Sequence, residues 1–152
     1  MAFLLCYIIG WLAAVIIIVT SHISNTSHII HTLLLCHLTI SVGFVGLIGA
    51  QGHLLMHEKV AKHIGWASGS LFQRELGYCC LGMGIMGIMC YWYQDNFWLA
   101  TIVLSCTFLL GAAWIHIKEM ITKKNFNPGN AVSTIPDILI PATLTILWML
   151  KK

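Results

Sequence analysis

Charge is what this chain lacks most. No Asp, Glu, Lys or Arg occurs before Glu58, and only 9% of its 152 residues are charged against 59% hydrophobic. A soluble fold of this length needs more polar surface than that. Cys-x-x-Cys spacing is also missing: Cys79 and Cys80 are adjacent, and Cys6, Cys36, Cys90 and Cys106 sit singly in apolar runs. That excludes a thioredoxin-like or zinc-ribbon motif and a disulfide framework, and leaves free cysteines acting as small hydrophobes. No basic stripe with interleaved aromatics is present, so the net charge of +3 points to anionic headgroups and not to nucleic acid. The run "GMGIMG" at 82–87 has no strand before it, which removes a dinucleotide fingerprint.

What is there comes in long uncharged stretches. Besides the opening 57 residues, 19 residues separate Glu75 from Asp95 and 22 separate Asp95 from Lys118. About 20 residues of helix cross a hydrocarbon core of roughly 30 Å, so these gaps have the length of membrane spans. The opening "MAFLLCYIIGWLAAVIIIVT" lacks the basic start and small-residue cleavage site of a leader and reads as the first span. The expectation is an all-α transmembrane bundle of five spans, about 3–20, 29–52, 76–93, 97–117 and 133–150, with a surface segment over 58–75. The alternative is four spans and a re-entrant C-terminal segment, because residues 137–150 alone are short and contain Pro141.

Local signals refine this. Ser27 or Thr26 is expected to cap span two, whose helical character continues toward Lys62. Gly65 and "SGS" at 68–70 interrupt any helix, and Trp66 suits headgroup level. Gly77, Cys80, Gly84 and Gly87 share one face of span three and predict close backbone contact with a neighbour. Gly43, Gly46, Ala50, His53 and His57 form a similar face on span two, with His37 and Gln51 off it.

With five spans, Lys59, Lys62, Arg74, Lys118, Lys123 and Lys124 fall on one side and Lys151 and Lys152 on the other. The first side is then cytoplasmic, with the N-terminus inside. The same topology gathers His53, His57, Glu58, Arg74, Glu75, His116, Glu119 and Asp137 at one membrane level. Polar groups at such depth are costly unless paired. A plain structural network, such as Arg74 with Glu119 or Asp137, accounts for them one way. A recess that binds or passes a small solute or ion accounts for them another way. A third reading gives His53, His57, His116 and Glu119 to a divalent metal, although "HLLMH" does not match the zincin pattern. His22, His28 and His31 lie at the opposite rim and read as interfacial hydrogen-bonding groups.

The stretches "IGWASGSLFQRELGYCCLG" at 64–82, "DNFWLAT" at 95–101, "NFNPGN" at 125–130 and "DILIP" at 137–141 resemble the DUF6790 family of small bacterial membrane proteins. The resemblance implies a multi-pass protein of the bacterial inner membrane and supplies no reaction, ligand or catalytic residue. The expected function is therefore a small-solute or ion site at a cytoplasmic-side recess. The alternatives are a histidine and metal-dependent membrane enzyme, and an accessory subunit of a membrane complex. The expected partners are lipid and either further copies of the chain or another membrane subunit.

Overall fold

An apolar segment such as Ala2–Thr20 can satisfy its backbone away from water only by coiling on itself, and the whole chain follows that rule. The computed structural model describes residues 1–151, and no strand occurs among them. Helix α1 (Ala2–Thr20) is followed by α2 (Thr26–Leu55), α3 (His57–Ile64), α4 (Phe72–Met89), α5 (Asn96–Lys123), the single turn α6 (Pro128–Ala131) and α7 (Thr134–Leu150). Four helical segments are long and apolar enough to cross a membrane: Ala2–Thr20, Thr26–Leu55, Asn96–Lys123 and Pro128–Leu150. The C-terminal segment qualifies because its helical turns begin at Pro128, upstream of the expected start. Helix α4 is not one of the four, since Gln73, Arg74, Glu75 and its glycines dilute its apolar character.

Asn25, not Ser27 or Thr26, caps α2: its side-chain oxygen accepts from the backbone N–H of Ser27 at 2.9 Å and of His28 at 3.3 Å. That oxygen reaches two of the amides that the first helical turn leaves without partners. Within α2, residues His37–Val42 wind as a π-helix. The helix stops at Met56 and restarts as α3, so the expected continuity toward Lys62 is broken there.

Helices α2 and α4 run antiparallel with their backbones in contact. A Cβ on Gly46 would collide with the backbone of Gly84 and Cys80, and one on Gly87 would lie 2.5 Å from the Gly43 amide nitrogen. The two small-residue faces of the sequence are thus each other's partner. Helices α5 and α7 pack as a second pair, and α1 lies along α2. Leu34, Leu38, Met83, Trp98, Leu109, Ile140 and Leu144 form the buried core, while Leu12, Ile16, Val103, Trp114 and Ile146 point outward.

The end that carries residues 21–25 and 90–95 is closed by specific contacts. Lys151 Nζ sits 3.0 Å from Asp95 Oδ1 and over the Trp98 ring, and His31 Nε2 lies 3.0 Å from Gln94 Oε1. Trp98 donates its indole N–H to the Cys90 carbonyl at 2.8 Å. Lys152 lies outside the described residues. The opposite end carries the longer connections, 56–71 and 124–133, and is the loop-rich end discussed below.

Gly46→Ala is expected to cost about 3 kcal/mol or more, the upper range for overpacking, because the obstructing atoms are backbone. Gly82→Ala on the same pair, where a Cβ meets nothing within 4 Å, is expected to be neutral or mildly stabilising. Thermal unfolding of both variants in detergent checks the contrast.

Candidate functional site

The α2–α4 contact aligns the last turn of α2 with the first turn of α4. A Cβ on Gly77 would lie 3.2 Å from the His53 Cβ, so the two helices have no spacer at this point. Gln73 fills the space beyond it. Its amide N–H₂ donates to the His57 carbonyl at 2.9 Å and to His53 Nδ1 at 3.3 Å. The first bond fixes the amide orientation, which makes His53 Nδ1 an acceptor and leaves its proton on Nε2. His57 Nδ1 is buried without a hydrogen-bond partner among the described residues.

A second group forms where α3 meets the 124–133 connection. Gly65 adopts the left-handed conformation at φ 84°, and the amides of Gly65 and Trp66 both return to the Ala61 carbonyl at 2.9 Å. That reversal turns Trp66 back onto His116, with ring centroids 5.5 Å apart and planes inclined by 22°. Asn130, fully buried, binds His116 twice. Its Nδ2 donates to the His116 carbonyl at 3.1 Å and to the Asn125 carbonyl at 2.9 Å, and its Oδ1 lies 2.7 Å from His116 Nδ1. Because Nδ2 is the donor, Oδ1 accepts and His116 carries a proton on Nδ1.

The other ring nitrogen, Nε2, faces Asp137 Oδ2 at 3.9 Å. Asp137 is only 3% exposed, and no Lys or Arg pairs with it among the described residues. A neutral imidazole would turn its lone pair toward a carboxylate, which is repulsive. One shared proton removes the conflict, whether it resides on Nε2 or on Oδ2. Closing the gap by about 1 Å would bring the two atoms to hydrogen-bond distance.

The eight residues gathered by the sequence therefore divide. His53 and His57 meet through Gln73, and His116 meets Asp137. Glu119 instead pairs with Lys123 at 2.8 Å, one turn along α5. Arg74 is exposed and pairs with neither Glu119 nor Asp137, which corrects the expected ion pair: its position on α4 turns it outward. Glu58 and Glu75 are likewise exposed. Among the described residues no three His, Cys, Asp or Glu side chains gather as metal ligands. His53, His57, His116 and Glu119 do not form one ligand set among the described residues.

Asn130, Trp66 and Gln73 join the candidate site, although the sequence assigned Trp66 only to headgroup level and gave Asn130 and Gln73 no site role. "NPGN" carried a turn signal, and its last Asn is the one buried. His37, set aside as off the His53 face, is fully buried in the π-segment. Its Nδ1 lies 2.9 Å from Ser41 Oγ, which donates onward to the Cys6 carbonyl at 3.4 Å. The rings of Trp11 and Tyr7 lie 4.7 and 5.4 Å from it, and Nε2 has no partner among the described residues.

Fold and site together define a small all-helical protein, with four segments of membrane-crossing length and a buried histidine–carboxyl pair under its loop-rich end. The chain belongs to the family of unknown function DUF6790, whose model matches residues 1–152, well beyond the C-terminal motifs that first carried the likeness. No curated protein and no solved structure matches the chain.

Asn130→Ala is expected to cost about 2 kcal/mol or more, because it strips three hydrogen bonds, two of them buried, and leaves the Asn125 carbonyl and the His116 imidazole N–H unmatched. Chemical or thermal denaturation checks this, and a loss under about 1 kcal/mol would mean that the network does not hold the loop.

Proposed function

We propose that this chain is an integral protein of the bacterial inner membrane with five crossing helices, and that it binds and exchanges a small ion at its cytoplasmic recess. A proton or a monovalent cation fits the recess best, at Asp137 and His116. The observation that carries this reading is the burial of Asp137 beside the His116 imidazole, with no Lys or Arg paired to it among the described residues. A carboxyl held in that way in an apolar bundle is costly as a structural device and useful as an exchangeable site.

Helix α4 is the proposed fifth span. Its contact along α2 from Gly77 to Gly87 carries it through the same thickness, and 18 residues give about 27 Å. The orientation rests on Lys59, Lys62, Arg74, Lys118, Lys123 and Lys124 at the loop-rich end. Six basic residues at that end outnumber Lys151 and Lys152 at the other, where Lys151 pairs with Asp95.

In this reading Trp66 stands between His116 and water, and Asn130 holds the ring so that Nε2 keeps facing Asp137. The unpartnered ring nitrogen of His57 and the Gln73 amide extend the recess toward α2. Glu58, Arg74 and Glu75 form its charged rim at headgroup level.

In liposomes reconstituted with the purified protein, an imposed pH gradient is expected to drive proton or sodium flux above that of empty liposomes. Asp137→Asn is expected to lower that flux at least about tenfold, as befits loss of the ionisable group, with helix content retained. Equal flux in wild type and variant, or wild type equal to empty liposomes, would contradict the proposal.

A further inference from the structure

The cap over the recess has an outer surface, and that surface holds a second feature that the ion-exchange reading does not use. Between α3 and the start of α6 lies a cleft of about 360 Å³ lined by Lys59, Lys62, His63, Asn127 and Pro128. Its walls are built. The Gly129 Cα packs so tightly on His63 that a Cβ would lie 2.6 Å from the His63 carbonyl oxygen, and Asn125 Nδ2 donates to the Ile64 carbonyl at 2.9 Å. Asn127 Nδ2 donates to Asn125 Oδ1 at 2.6 Å, which anchors the far wall.

The charge of the cleft is unbalanced. Neither Lys59 nor Lys62 takes part in a salt bridge among the described residues, and no carboxylate lines the cleft. Glu58 lies one turn from Lys62 on the same helix, yet the two form no ion pair. Two free ammonium groups and an imidazole thus surround one open volume with amide and proline walls.

Its position narrows the ligand. Helix α3 follows directly from the end of α2 and rests its apolar side on the bundle through Val60, which touches Gly52, and the buried Ala61. Its basic side faces outward, the arrangement of a helix that lies along a membrane surface among headgroups.

We propose that this cleft binds a phosphate-bearing anion, with Lys59 and Lys62 as its counter-charges and His63 and Asn127 as its hydrogen-bonding groups. The phosphate can come from an anionic phospholipid of the same leaflet or from solution, and the chemistry of recognition is shared. Because the same connection carries Asn125 and Asn130, an occupied cleft steadies the loop that holds His116.

The test uses the full chain purified in detergent. Its unfolding temperature is followed as short-chain phosphatidylglycerol, phosphatidylcholine of the same chain length, or inorganic phosphate is added. The expected result is a saturable rise with phosphatidylglycerol or with phosphate, absent with phosphatidylcholine. In the K59Q/K62Q variant the midpoint of that rise should move about tenfold higher. A rise with phosphatidylglycerol alone assigns the site to lipid, and a rise with both assigns it to phosphate from either source. The variant K118Q/K123Q, with the same loss of charge outside the cleft, should titrate as wild type. No rise with either anion, or an equal shift in both double variants, overturns the proposal.

Discussion

Backbone contact between α2 and α4 is the constraint on which the rest of this structure depends. Gly46 and Gly84 meet with no side chain between them, and Gly43 and Gly87 do the same a turn away. In lipid, helices gain little from hiding apolar surface from one another, so packing at van der Waals distance is the main source of specific association. The contact fixes rotation and register together. With both fixed, His53 and Gln73 must face each other, α3 must emerge beside α4, and Gly65 must return Trp66 toward α5. A larger residue in the seam would displace all three.

The second layer of order comes from amides, not charges. Asn130 ties the 124–133 connection to α5 through the His116 carbonyl, and Asn125 ties it to the end of α3 through the Ile64 carbonyl, a group that the helix terminus leaves free. Amides satisfy buried carbonyls without the desolvation cost of ions. That leaves Asp137 as the buried carboxyl among the described residues, matched only with His116. In the proposed membrane setting a lone exchangeable site within an otherwise neutral network is a sound design, since fixed cations nearby would hold it permanently ionised.

Much of this was legible in the residues, because it depends on local composition and period. Uncharged stretches gave the helices, and small residues at helical spacing gave both faces of the seam. Chain reversal alone brought His53, His57, His116 and Asp137 toward one end. Partner choice was not legible. Arg74 had two carboxylates within plausible reach and takes neither, because a rotation set by the glycine seam turns it outward. Asn130 looked like turn chemistry, and only its tertiary surroundings reveal the three bonds it makes. His37, read as lying off the His53 face, does lie off it and packs on Tyr7 and Trp11 of α1; what the residues did not show is the π-segment that carries it. A π-segment adds a residue to the turn and rotates everything before it relative to everything after it. The Gly43–His53 face lies wholly after the segment and keeps its phase up to the break at Met56.

The account rests on the 57–66 and 124–131 segments meeting at one surface of the bilayer, with residues 21–25 and 90–95 at the other. The most direct measurement places single cysteines at His63, Asn127, His22 and Tyr93, in a chain whose six native cysteines are replaced, and labels each from a known side with a membrane-impermeant thiol reagent. The account predicts that positions 63 and 127 react from the cytoplasmic side and positions 22 and 93 from the other. Labelling of 63 and 127 from opposite sides would contradict it.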